Sequence, residues 1–187
     1  QVRHFAKTRR VLTFVHRGVG GSAVVDASAH MADFAADLIR ILDEAQILQA
    51  DFVGLSFGGR VLQQLAAGWP ERVRRMVLGG TSAGGALHHP SKVEAHRTMR
   101  LASSGSAEVW ARQIAPLLFG RQYIEAYPDR IQSLARWRAR YPVDPVGLAR
   151  QWEAFDGFDM GDQLSQIGCP VLVVHGDDDA LSPLANA

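Results

Sequence analysis

The sequence predicts an α/β fold, a mostly parallel sheet with helices on both faces, and three observations carry that expectation. Short apolar runs alternate with helical periodicity through the first part of the chain. A glycine-flanked serine stands between one of these runs and the helix that follows it. After a long stretch with only helical signals, one more apolar run returns near the end.

Arg10 to Val15 is the first element, a nearly continuous apolar run rich in β-branched and aromatic residues, which suits a strand covered on both faces. His16 to Ser22 follows, with glycines that permit tight turning. Ser28 is placed to cap a helix in which Met31, Phe34, Leu38, Leu42 and Ala45 recur at three- and four-residue spacing, so that one face is buried. Phe52 to Leu55 is the next short strand. Gly58 to Ala67 then carries Val61, Leu62 and Leu65 in helical spacing and ends near Gly68 and Pro70, and Arg75 to Leu78 is a third strand. Short links between strand and helix imply parallel pairing, because each parallel pair needs a crossover.

The alternation lapses from about Ala86. Pro128 is placed in a first helical turn ahead of Ile131 and Leu134, and Asp144 with Pro145 reads as the cap and first turn of a helix bearing Leu148, Trp152 and Phe155. Val171 to Val174 resumes the strands, and Gly176 to Asp179 turns the chain. The organisation is therefore residues 1–85 and 167–187 as two parts of one core, with residues 86–166 as a helical insertion.

Twenty Lys and Arg against nineteen Asp and Glu give a net charge of +1, so nucleic acid is not an expected partner. The scattered arginines, such as Arg9 and Arg10 or Arg136, Arg138 and Arg140, lack the aromatic and glycine pattern of an RNA-binding sheet. The single cysteine, Cys169, reads as a buried filler and rules out an internal disulfide. No segment approaches the run of about 18 apolar residues that spans a bilayer, so the expected setting is cytoplasmic and away from membranes. The histidines lack metal-ligand spacing, so no metal site is expected.

Gly54-Leu55-Ser56-Phe57-Gly58-Gly59 carries the chemistry. It fits the G-x-S-x-G pattern, with a strand before it and a helix after it, the context of a nucleophile elbow. Small residues are expected at Gly54 and Gly58 because a side chain there would collide with the neighbouring strand or helix. The sharp turn lifts the Ser56 hydroxyl over the sheet edge near the helix amino terminus, where free N–H groups favour developing negative charge. The Phe57 N–H then supplies half of an oxyanion hole. A serine hydroxyl needs a base, usually a histidine, held by a carboxylate. The turn after Val174 offers Asp177, Asp178 and Asp179 at the correct sheet edge, and physical reasoning alone does not choose among them.

Phe-Val-His-Arg-Gly-Val-Gly-Gly-Ser, the Gly-Leu-Ser-Phe-Gly-Gly turn, Trp-Pro-Glu-Arg-Val-Arg-Arg-Met-Val-Leu and Cys-Pro-Val-Leu-Val-Val-His-Gly-Asp-Asp-Asp-Ala-Leu-Ser-Pro together resemble the α/β-hydrolases that include 3-oxoadipate enol-lactonases, intracellular polyester depolymerases and small-ester hydrolases. The resemblance covers most of the chain outside the helical insertion, which corresponds to the cap that roofs the family's pocket. The family pattern Gly-x-x-Asp-x-x-x-Pro, set on Gly176 and Pro183, implies Asp179 as the acid. Val15 and His16 stand where the family usually has an acid or amide ahead of Arg-Gly-x-Gly. The family's first strands, its His-Gly loop and the Gly-His after the acid find no counterpart, so the fold is expected to be incomplete and the catalytic histidine to lie outside these residues. Among internal histidines, His16 and His88 hold plausible sheet-edge positions.

The reading for the whole protein is hydrolysis of a small-molecule ester or lactone through a serine nucleophile and an acyl-enzyme, with no cofactor. Carbon-carbon bond hydrolysis and perhydrolysis would use the same nucleophile. The rivals are a non-catalytic binding protein of the same fold and an inactive fragment. Retention of Ser56 between glycines speaks against a pure binder, which has no need of a strained turn.

Overall fold

A computed structural model describes residues 2–24, 27–101, 106–141 and 143–187. Its sheet has three parallel strands in the order β1-β2-β3: Ala50–Leu55, Val73–Gly79 and Val171–Val174. Phe52 lies beside Met76 and Gly54 beside Leu78, while Met76 is also opposite Val171 and Gly79 opposite Val174. Because all three strands run the same way, residues that follow Leu55, Gly79 and Val174 emerge at one edge.

A short helix α1 (Val2–Phe5) opens the chain, and α2 (Met31–Glu44) is the first long one. Its buried stripe is Met31, Phe34, Ala35, Leu38 and Leu42, close to the expected periodicity. The cap falls at His30, not Ser28: the Asp33 carboxylate accepts the His30 N–H at 2.8 Å, which fixes the first turn two residues later. Helix α3 (Phe57–Gly68) starts directly from β1 and buries Val61, Leu62, Leu65 and Ala66, then stops at Gly68 and Trp69 before the turn opened by Pro70. Helices α2 and α3 pack on each other and, with Met76 and Leu78 of β2, enclose the main core around Phe34, Leu42 and Leu65. Each such large side chain contributes about 1.5–3 kcal/mol on burial.

Two expectations fail. Arg10 to Val15 joins no ladder among the described residues, and Leu12, Phe14 and Val15 are exposed. An extended segment without a hydrogen-bonded neighbour gains nothing from its β-branched side chains, so apolar character alone did not make it a strand. Nor are the strands covered on both faces. Gly54 faces Gly58 and Leu62 of α3, and Phe52, Met76 and Leu78 share that side. The opposite side carries Val53, Leu55, Leu172 and Val174, which are 53–61% exposed.

Between β2 and β3 come α4 (Val93–Leu101), α5 (Ala107–Leu118), α6 (Arg121–Ala126), α7 (Pro128–Arg140) and α8 (Pro145–Asp156). Pro128 and Pro145 occupy first turns as expected, and Asp144 caps α8 by accepting the N–H groups of Val146 and Gly147 at 2.8 and 3.0 Å. Helix α8 lies against the core. Its Gly147 abuts Gly18, Gln151 donates to the Arg17 carbonyl at 3.2 Å, and Ala154 is buried in the main core. The outgoing and returning chains are stitched together where Met160 N–H meets the Ala83 carbonyl at 2.9 Å and Gly85 N–H that of Phe158 at 3.1 Å.

Candidate active site

Ser56 stands between β1 and α3 with φ 49° and ψ −113°, one of two described non-glycine residues at positive φ. Such a conformation costs on the order of 1–3 kcal/mol and persists only where its surroundings impose it. The surroundings here are specific. Ser56 N–H donates to the Gly79 carbonyl at 2.8 Å, and the Ser56 carbonyl accepts from Gly59 N–H at 2.9 Å, Arg60 N–H at 3.2 Å and the Thr81 hydroxyl at 2.8 Å. The Ser56 side chain is exposed and makes no cap bond to its own helix. Phe57 is the first residue of α3, so its N–H has no acceptor within the helix and points out with the first-turn amides.

The glycines divide differently from the sequence expectation. A Cβ on Gly54 would lie 2.6 Å from the Gly58 carbonyl oxygen and 2.7 Å from Leu62 Cδ1, so Gly54 must be small. Gly58 has nothing within 4 Å of an added Cβ. The collision expected there occurs one residue on, at Gly59, where a Cβ would meet the Thr81 side chain at 2.7 Å. Gly58 lies on the open side of the first turn, whereas Gly59 faces the chain leaving β2.

Of the three acids after β3, Asp177 and Asp178 are exposed. Asp179 is partly buried, and its Oδ1 accepts the N–H groups of Leu181 and Ser182 at 2.9 and 2.8 Å. Its Oδ2 is 3.8 Å from His175 Nε2 and would be 3.3 Å from a Cβ on Gly80, a residue at φ 49°. Asp179 thus sits beside the exit of β2, the same exit that grips Ser56.

No histidine among the described residues bonds to the Ser56 hydroxyl. His16 is packed edge-on against Phe14, Phe34 and Phe57, with ring centroids 4.9–5.6 Å apart, and its buried Nδ1 has no hydrogen-bond partner. Burial holds its pKa below the usual imidazole value, against the pull of Asp37. His88 is taken up by the buried Ser82, whose hydroxyl is 3.0 Å from Nδ1, and its pKa is lowered by burial and by the nearby Arg60. His175 is almost wholly buried and donates through Nε2 to the Ser182 carbonyl at 2.5 Å.

Sequence reasoning missed Thr81 and Arg60. Arg60, one turn beyond Ser56 in α3, is buried under the rings of Phe155 at 3.6 Å and Phe158 at 5.3 Å. It donates to the Ser82 hydroxyl at 2.8 Å and the Phe155 carbonyl at 2.5 Å, tying α8 to the helix that follows Ser56. Desolvation brings its pKa to about 10, opposed by Asp156. The only sequence signals were the second glycine after Phe57 and the Gly-Gly-Thr-Ser that ends the β2 run. A cavity of about 540 Å³ lies on the other side of α8, lined by Arg100, Arg138, Leu148, Trp152 and Asp156, and Ser56 does not line it. Among the described residues no cluster of His, Cys, Asp and Glu is arranged to hold a metal ion, and no helix is long and apolar enough to cross a membrane.

Known proteins resemble this chain in sequence and fold. The chain is 29% identical to 3-oxoadipate enol-lactonase 2 of Acinetobacter baylyi over all of its own length and 67% of that protein. It is 31% identical to a poly(3-hydroxyalkanoate) depolymerase of Ectopseudomonas oleovorans over 94% of this chain and 61% of the other. The crystal structure of the enol-lactonase from Burkholderia xenovorans LB400 superposes on the whole chain with a TM-score of 0.82, at 27% identity and over 69% of that chain. The chain therefore spans about two thirds of the length of these relatives. The sequence profile of the alpha/beta hydrolase fold matches residues 1–143, and with Ser56 held at the strand-to-helix turn of a parallel sheet, the chain belongs to the α/β-hydrolase family.

Proposed function

We propose that the protein hydrolyses a carboxylic ester or lactone through Ser56, and the observation that carries this reading is the strained backbone of Ser56 at the sheet edge that Asp179 also occupies. The names of the relatives, an enol-lactonase and a polyester depolymerase, support the ester or lactone class. In the proposed reaction the Ser56 hydroxyl adds to the substrate carbonyl as its proton passes to a base. The Phe57 N–H stabilises the oxyanion, the alcohol leaves with that proton, and water releases the acid from the acyl-enzyme. Asp179 is the carboxylate that orients the base, because two backbone N–H groups already hold one of its oxygens while the other stays free of them. Asp177 and Asp178 are exposed. No cofactor enters the proposal, and the substrate is a small molecule.

The test is hydrolysis of p-nitrophenyl butyrate, with fluorophosphonate modification read by intact mass, on the protein as its gene encodes it. Ser56→Ala is expected to abolish both. Asp179→Asn is expected to lower kcat by about 10²–10⁴-fold, while Asp177→Asn and Asp178→Asn stay within about threefold of the parent. Absence of turnover and of labelling in the parent would favour a non-catalytic binding protein of the same fold. A damaging Asp178→Asn would move the acid by one position.

A further inference from the structure

The exit of β2, Gly79-Gly80-Thr81, touches the nucleophile on one side and the acid's loop on the other. Ser56 is held at both of its backbone polar groups: its N–H by the Gly79 carbonyl at 2.8 Å and its carbonyl by the Thr81 hydroxyl at 2.8 Å. On the other flank Gly80 N–H donates to the Val174 carbonyl at 3.1 Å, and Asp179 Oδ2 packs against Gly80 where a Cβ would stand 3.3 Å away. The Ser182 hydroxyl approaches the Thr81 carbonyl at 3.4 Å, and Ser182 N–H is one of the two donors to Asp179.

The Thr81 hydroxyl is not needed to satisfy the carbonyl it meets. Ser56 O already accepts two N–H groups of α3, from Gly59 and Arg60, and a carbonyl oxygen has two lone pairs. A third donor there adds little to polar satisfaction, but it fixes where the elbow stands relative to β2. The molecule also keeps room for it, since Gly59 lacks the Cβ that would strike the Thr81 side chain at 2.7 Å. Gly80, at φ 49°, lets the chain turn so that the Thr81 side chain faces Ser56 while its carbonyl faces Ser182.

We propose that Thr81 is a positioning residue that sets the placement of Ser56 relative to Asp179, with Ser182 completing the link on the acid's side. This rests on the reading of Ser56 and Asp179 as nucleophile and acid. It acts through backbone placement and makes no contact with substrate. A triad tolerates little displacement, because misplacing a reacting group by about 1 Å costs on the order of a hundredfold in rate.

The experiment compares Thr81→Val, Thr81→Ser and Ser182→Ala in the protein as its gene encodes it. Thr81→Val keeps the shape and removes the hydroxyl, and is expected to lower kcat for p-nitrophenyl butyrate about tenfold or more with KM within about twofold. Thr81→Ser, which restores the donor, is expected to return kcat to within about threefold of the parent. A Thr81→Val enzyme as fast as the parent, or a loss that serine does not recover, overturns the proposal. Amide hydrogen exchange gives a second readout that needs no catalysis. Segments 55–60 and 178–183 should both exchange faster in Thr81→Val and both match the parent in Thr81→Ser. Ser182→Ala should speed exchange at 55–60, remote in sequence, and unchanged exchange there overturns the link even if Thr81→Val fails to fold. A parent without turnover defeats the reading of Ser56 as nucleophile, and exchange alone then decides on Thr81.

Discussion

Gly58 and Gly59 are neighbours in the elbow with opposite constraints. An alanine at 58 meets open space, whereas at 59 it drives a methyl into Thr81. Gly58→Ala is therefore expected to be neutral or to stabilise by up to about 1 kcal/mol, since glycine is a poor helix former. Gly59→Ala is expected to destabilise by about 1–3 kcal/mol from overpacking, and urea unfolding of the two variants reads the difference. Equal midpoints would mean that Thr81 can yield. The turn at Ser56 was legible because its requirements are local: a strand, a tight turn and a helix, all within a few residues. The clash that makes Gly59 necessary was not, because its partner belongs to the end of another strand. Physical reasoning on the sequence did not separate Asp177, Asp178 and Asp179, and the expectation of Asp179 came from the resemblance. What the sequence did not report is the loop geometry, in which Leu181 and Ser182 turn their N–H groups back on the Asp179 carboxylate.

At the scale of elements, periodicity and caps placed α2, α3, α7 and α8, while α4 and α5 were expected only as part of a helical stretch. Helix α2 buries the stripe that its spacing predicts, and Pro128 and Pro145 open α7 and α8. The failure was Arg10 to Val15, whose composition suits a strand but whose state depends on a partner that composition does not report. The docking of α8 was equally invisible, because it depends on two glycines far apart in the sequence. A Cβ on Gly147 would run into the Gly18 carbonyl oxygen and fall 2.5 Å from Gly18 Cα. Within an isolated helix Gly147→Ala would stabilise by about 1 kcal/mol, but here it must push α8 away from the loop that carries Arg17. The docking clash is expected to win, lowering Tm by about 3–10 °C. Calorimetry on Gly147→Ala measures it, and a raised Tm would mean that α8 does not rest on Gly18.

The three strands form one layer with helices α2 and α3 against one side, and the other side is lined by Val53, Leu55, Leu172 and Val174. Their side chains are more than half exposed, and Leu55 lies across Gly79, so the patch is continuous over all three strands. Contiguous apolar surface of this kind drives association, and the outer edges of β1 and β3 offer backbone N–H and C=O groups that can pair with another copy. The 187 residues by themselves are therefore expected to self-associate at about 1–50 μM, the sedimentation coefficient rising with concentration. Charge on the open side separates this cause from any other. Leu172→Lys combined with Leu55→Glu changes only exposed positions, so it should leave unfolding free energy within about 1 kcal/mol of the parent while shifting the population toward monomer. Association that survives both substitutions would place the contact elsewhere, at the strand edges or on the helices between β2 and β3, and a parent that stays monomeric over the whole range would mean that a bare sheet face of this size is tolerated in water.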